Sequence, residues 1–431
     1  MNRTRLFLLL GACALTGLAA AAFVWHYNVR GDAQTDAYAG APVAAATSTA
    51  DTLARGAYLA RAGNCMGCHT ARGGAPGAGG LAIATPFGTV YGPNLTPDAA
   101  TGIGNWSSAD FWRALHNGRA PDGRLLYPVF PYDHYTRVTR ADADALYAYL
   151  MAQPPVVQPN KAHVLRFPYN TQAALAVWRA LYFRAGGEPP QPERSTLWNR
   201  GAYLVEGLGH CGACHTARNA LGATTGQPAL AGGLMPVQNW YAPALTAAHE
   251  AGVAQWELPR IVALLKNGVT TGASVSGPMA EVVLRSTQHL SDTDLLAMAT
   301  YLQALPPQPA PRTVATPPPA QQALRGAKLY EQHCASCHGN QGEGVAGAYP
   351  ALTGNRAVLM DPPANLVHLV SRGGFAPATT GNPRPFGMPP FQLLLNDSDL
   401  AAVLGFIRTS WGNEGNAVSE FDVARIRNTS R

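Results

Sequence analysis

One five-residue pattern, Cys-x-x-Cys-His, occurs three times, as Cys65-Met66-Gly67-Cys68-His69, Cys211-Gly212-Ala213-Cys214-His215 and Cys334-Ala335-Ser336-Cys337-His338. A lone Cys-x-x-Cys suits a redox dithiol or half a zinc site, but a histidine directly after the second cysteine reads as covalent haem attachment. Two thioether bonds hold the porphyrin in either oxidation state of its iron, and the adjacent imidazole coordinates that iron. Six of the seven cysteines are used in this way, which leaves Cys13 alone and no pair for a structural disulfide. The expected cofactor is three covalently bound haem c groups, in a compartment beyond the inner membrane.

The surroundings of the motifs repeat too, and repetition is the first thing to test in a chain of 431 residues. Arg55-Gly56-Ala57-Tyr58-Leu59 leads to the first motif, Arg200-Gly201-Ala202-Tyr203-Leu204 to the second and Arg325-Gly326-Ala327-Lys328-Leu329-Tyr330 to the third. Gly92-Pro93-Asn94-Leu95-Thr96 and Asn117-Gly118 are mirrored by Ala242-Pro243-Ala244-Leu245-Thr246 and Asn267-Gly268, which makes the first two units the closer pair. Each unit closes on an acidic start followed by apolar residues at helical spacing: Asp142 to Leu150, Asp292 to Leu302 and Asp399 to Ile407. A helix ending in Cys-x-x-Cys-His and crossed by a closing helix resembles the small c-type cytochromes, and the fold this implies is mainly α, with three tandem class I cytochrome c-like helical domains, long loops and an N-terminal transmembrane helix.

Composition places the boundaries. Arg3 and Arg5 precede about twenty apolar residues, enough to cross a bilayer core of about 30 Å as a helix. That run ends in Trp25, His26 and Tyr27, an interfacial collar that favours an uncleaved anchor over a signal peptide. The expected division is an anchor over 1–35, a linker over 36–52, domains over 53–157 and 198–307 with a connector at 158–197, a Pro-rich linker over 308–320, a third domain over 321–413 and a tail over 414–431. Within the connector, Trp178, Tyr182 and Phe183 read as a strut packed on both neighbouring domains. A net charge of +6 without any Lys/Arg run gives no argument for a nucleic-acid partner, and none is expected. The inferred location is the periplasmic face of a bacterial inner membrane.

The opposite axial ligand of a cytochrome c iron is commonly methionine. Met388, in Phe386-Gly387-Met388-Pro389-Pro390, and Met279, in Gly277-Pro278-Met279, both lie shortly before a closing helix and are the expected ligands opposite His338 and His215. The first unit carries Phe130 at the matching place, in Tyr127-Pro128-Val129-Phe130-Pro131-Tyr132. His134 is the leading candidate to face His69. A five-coordinate iron beneath Phe130 is the alternative, and His116, aligned with Lys266 on an exposed helix face, is a third.

The chain resembles the three-haem cytochrome subunit of bacterial membrane-bound dehydrogenases acting on alcohols, gluconate, sorbitol or aldehydes. The likeness covers residues 53 to 413 and rests on the run from Arg200 to Cys211, on Gly277-Pro278-Met279-Ala280-Glu281-Val282-Val283 and on Ile407-Arg408-Thr409-Ser410-Trp411-Gly412-Asn413. The resemblance implies an electron carrier, not itself an enzyme, that takes electrons from a periplasmic catalytic subunit and passes them to ubiquinone or a terminal oxidase. Phe130-Pro131-Tyr132-Asp133-His134 is similar to cytochromes that accompany molybdopterin and iron–sulfur aldehyde-type dehydrogenases, favoured here over quinoprotein or flavoprotein partners. A competing reading makes an open first haem the centre of a peroxidase-like enzyme.

Overall fold

The computed structural model describes residues 3–39, 49–187, 189–309 and 315–428. Residues 40–48 of the expected 36–52 linker and 310–314 of the Pro-rich linker lie outside the described residues. The remainder is mainly helical, with one three-stranded and three two-stranded antiparallel sheets of short strands.

One local design occurs three times. A helix carrying the Arg-Gly-Ala sequence crosses a closing helix: Ala50–Ala62 on Arg140–Met151, Thr196–Ala202 on Asp292–Gln303 and Ala320–His333 on Asp397–Thr409. Glycine is needed at each crossing because the backbones nearly touch. A Cβ built on Gly56, Gly201 or Gly326 would lie 2.0, 2.0 or 2.2 Å from the carbonyl oxygen of Ala145, Ala297 or Ala402. The arginine before it pairs with an aspartate in the first turn of the closing helix: Arg55 Nε donates to Asp142 at 2.7 Å, Arg200 Nε to Asp294 at 2.8 Å and Arg325 Nε to Asp399 at 2.6 Å. Thr139, Ser291 and Asn396 cap the closing helices by accepting from the backbone N–H of those same aspartates. The acidic start legible in the sequence does two jobs at Asp142 and Asp399, favouring the helix N-terminus and fixing the crossing, whereas in the second unit the crossing is fixed by Asp294 and the expected start, Asp292, pairs with Lys266.

The described residues form two hydrophobic cores. The first runs continuously through the first two units, from Leu59, Phe111 and Leu146 to Leu204, Ile261 and Leu295, while the second, with Val367, Leu404 and Val423, belongs to the third unit. Across the joint the first two units exchange a hydrogen bond. Tyr58 donates to Asp294 at 2.6 Å and Tyr203 donates to Asp142, also at 2.6 Å. Each aspartate thus serves an arginine of its own unit and a tyrosine of the other. Burial alone would raise the carboxyl of Asp294, but the hydrogen bonds from Arg200 and Tyr58 hold it below the usual range.

The connector helix Gln172–Tyr182 touches both neighbours, as read from the sequence. Trp178 and Phe183 pack edge-on against Tyr132 of the first unit, and Trp178 Nε1 donates to the Leu221 carbonyl of the second at 2.9 Å. A third neighbour was not foreseen: the N-terminal helix Arg3–Ala39, continuous past the expected boundary at residue 35, packs along the same connector helix. The segment set apart as a tail also has a structural place. Its helix Glu420–Asn428 buries Val423 and Ile426 in the core of the third unit, and Arg427 reaches back to Asp397 at 2.6 Å.

Candidate haem sites

Each Cys-x-x-Cys-His forms a single helical turn after the arginine-bearing helix. In the first two units the residue before the first cysteine, Asn64 or His210, takes a left-handed conformation, φ 48° and 40°, which turns the chain sharply into the attachment segment. The third helix runs directly into Cys334 without such a break.

The imidazoles are oriented identically. His69 Nδ1 donates to the Pro93 carbonyl at 2.8 Å, His215 Nδ1 to Pro243 at 2.7 Å and His338 Nδ1 to Pro350 at 3.0 Å. A hydrogen bond at Nδ1 fixes the tautomer and leaves the Nε2 lone pair for a metal. Burial lowers all three histidine pKa values, against the opposing effect of the carbonyls, so the rings are neutral and able to coordinate. The accepting proline belongs to a Pro-x-Leu-Thr sequence in every unit. The third copy, Pro350-Ala351-Leu352-Thr353, was missed in the sequence, where only the first two were matched.

The cysteines fit thioether attachment. None is in a disulfide. Burial pushes the Cys65 and Cys211 thiols up to about 12 and that of Cys334 to about 11, so the free side chains rest as neutral thiols. Among the described residues no group of three or more His, Cys, Asp or Glu side chains is arranged to hold a metal ion with protein ligands alone. Paired thiols next to a neutral, oriented imidazole are the donor set that a c-type haem requires.

The first and second attachment turns face each other. Tyr135 Oη and His210 Nε2 both donate to the Gly63 carbonyl, at 3.3 Å each. Burial raises the Cys68 thiol, and the nearby Cys214 adds a smaller electrostatic push.

Met388 lies in the short strand Gly387–Met388 paired with Gly374–Phe375 and packs on the core of the third unit. Met279 sits in the first turn of the helix Gly277–Arg285, after Gly277 at φ 54°. Phe130 packs on the first core with its ring 5.2 Å from Tyr135. His134, in the one-turn helix Tyr132–Tyr135, is 8% exposed and lies at the joint between units: its Nδ1 donates to the Glu206 carbonyl at 2.8 Å, and its Cε1–Nε2 edge faces Gly212 of the second motif. Its Nε2 is buried and has no hydrogen-bond partner. His116 differs from expectation. It is buried, not exposed, because its helix also packs against the N-terminal helix, and its ring stacks on Trp112 at 4.5 Å.

Attachment turns with an oriented imidazole, carried on a helix that crosses a closing helix, define a c-type cytochrome, and the cytochrome c family model matches residues 53–154 and 323–411. The cytochrome c subunit of the quinone-dependent alcohol dehydrogenase of Gluconacetobacter polyoxogenes is 40% identical over 405 residues, 89% of this chain and 86% of the relative. The gluconate 2-dehydrogenase cytochrome c subunit of Pantoea cypripedii is 39% identical over 86% of this chain and 89% of its own length. The fructose dehydrogenase cytochrome subunit of Gluconobacter japonicus is 36% identical over 87% of this chain and 82% of the relative. The chain belongs to the family of cytochrome c subunits of membrane-bound dehydrogenases, which are electron-transfer components and not catalytic subunits. These relatives lend no support to a peroxidase-like enzyme.

Proposed function

We propose that the chain carries three covalent haem c groups, one in each of three tandem cytochrome c domains over 53–157, 198–307 and 321–413, and relays electrons from a periplasmic dehydrogenase to ubiquinone or a terminal oxidase. The observation that carries this reading is the threefold Nδ1 hydrogen bond from motif histidine to Pro-x-Leu-Thr carbonyl, which gives the second unit the same ligand orientation as the two regions that the family model matches. Bound haem supplies reversible one-electron chemistry at iron. The protein's part is to anchor it through Cys65 and Cys68, Cys211 and Cys214, and Cys334 and Cys337, to present His69, His215 and His338, and to offer Met279 and Met388 opposite the last two. The facing first and second turns make those two sites an adjacent pair.

The favoured donor is a molybdopterin and iron–sulfur aldehyde-type dehydrogenase, on the resemblance carried by residues 130–134. Purification from membranes with the associated large subunit should give molybdenum in that subunit and substrate-dependent reduction of the haem bands, while the isolated chain stays oxidised with the same substrate. Reduction of the isolated chain would sink the relay reading, and a molybdenum-free partner would sink the donor class.

For the first iron, His134 is the proposed sixth ligand. Its support is that Nδ1 is held by a backbone carbonyl and Nε2 is buried without a partner, and ligation of the first iron requires the ring to turn away from Gly212 of the second motif. His134→Ala should convert one haem of three from low-spin to high-spin in the oxidised spectrum. An unchanged spectrum assigns the ligand elsewhere. The N-terminal helix is proposed to be a retained anchor that holds the haem units on the periplasmic face.

A further inference from the structure

The N-terminal helix is keyed into the folded body at one end of its apolar stretch, Leu10–Val29. Asn28 is 8% exposed and its side chain is fully used. Its Nδ2 donates to the Ala176 carbonyl of the connector helix at 2.9 Å, and its Oδ1 accepts from Arg179 Nε at 3.1 Å. Its backbone carbonyl accepts from Arg119 at 2.9 Å, and the Arg184 guanidinium covers the Tyr27 ring at 3.9 Å. These contacts set a depth. At 1.5 Å per residue, the middle of the connector helix is held within roughly 2 Å of the end of the membrane-length stretch, measured along the helix axis.

The connector helix is two-faced at that level. Leu175, Arg179 and Ala180 are buried against the body. Ala173, Val177 and Leu181, at i, i+4 and i+8, form an exposed stripe, with Val177 and Leu181 at 47% and 49% exposure. The turn leading into the helix leaves Phe167 82% exposed. An amphipathic helix lying in a membrane interface buries its apolar face about 5–10 Å into the headgroup and acyl boundary. A helix fixed beside the last turn of a spanning segment is already at that boundary.

We infer that the connector helix Gln172–Tyr182 is a second membrane contact. Its Ala173–Val177–Leu181 stripe seats in the lipid surface, so the first two haem units stand on the bilayer in a fixed orientation and do not swing on a tether. The occupant is lipid because Asn28 holds this same helix, at Ala176 and Arg179, beside the end of the membrane-length stretch. The inference rests on the proposal that the N-terminal helix is retained, and an intact mass that includes residues 1–35 checks that premise separately.

The test uses the full-length holoprotein, purified without partner subunits, in phospholipid nanodiscs. Val177→Cys, Leu181→Cys and, as a control in the third unit, Phe421→Cys are labelled with a membrane-impermeant maleimide, and a lipid with a photoactivatable acyl chain is included in a parallel sample. Labelling at 177 and 181 should be at least tenfold slower than at 421, and the photolipid should cross-link to the peptide containing residues 172–182. Equal labelling rates in a chain of intact mass would overturn the inference. Slow labelling without lipid cross-links would also overturn it, because a second copy of the chain would then be covering the stripe.

Discussion

Gly201→Val should destabilise the chain more than any exposed substitution and reduce haem incorporation in the first two units together. The first side-chain atom would lie 2.0 Å from the Ala297 carbonyl oxygen and 2.7 Å from Tyr301 Cβ, so the two helices must separate. Overpacking typically costs about 1–3 kcal/mol, and a clash with the Ala297 backbone carbonyl, which cannot swing aside, belongs at or beyond the upper end. For a core of this size, about 3 kcal/mol corresponds to a fall of roughly 6–12 °C in melting temperature. Because that core is continuous through both units, the loss should appear in both while the third unit melts as before. An unchanged melting profile would mean that the crossing is not as close as described.

The third unit has its own critical residue. Arg408 is fully buried on the closing helix and donates to four separate oxygens: Val358 and Met360 carbonyls at 2.8 Å each, the Asn416 carbonyl at 2.8 Å and Asp361 at 2.6 Å. Asp361 is half exposed and recovers water when the arginine is removed, but the carbonyls at 358 and 360 do not. Arg408→Met keeps most of the volume and deletes the donors, at an expected cost of about 3–5 kcal/mol. Heating should then show an early transition for the third unit, with loss of the methionine-ligated spectrum proposed for its haem, ahead of the rest. A single unshifted transition would contradict this.

How much of this was legible in the sequence depends on whether the cause is local. Covalent attachment needs two cysteines and a histidine at fixed spacing, so all three turns are contiguous strings. The Arg-Gly-Ala repeat was visible for the same reason, but its purpose was not, since the Cβ-free contact and the Arg–Asp pair join residues far apart in the chain. The Pro-x-Leu-Thr carbonyl is the missed case: its third copy is present at 350–353, and a search for an acceptor to each motif histidine would have found it. His116 aligned with the part-exposed Lys266, yet the N-terminal helix covers that face in the first unit alone. The helix at 420–428 and the keying of Asn28 to the connector are likewise tertiary facts. No periodicity within those segments announces which surface they meet.

The central claim is that each of the three motifs holds a haem. The most direct measurement is the intact mass of the denatured, reduced holoprotein, followed by peptide mapping of the haem-bearing fragments. The account predicts three haem additions, one each on the peptides containing Cys65–Cys68, Cys211–Cys214 and Cys334–Cys337. Two additions with the 211–214 peptide unmodified would contradict it.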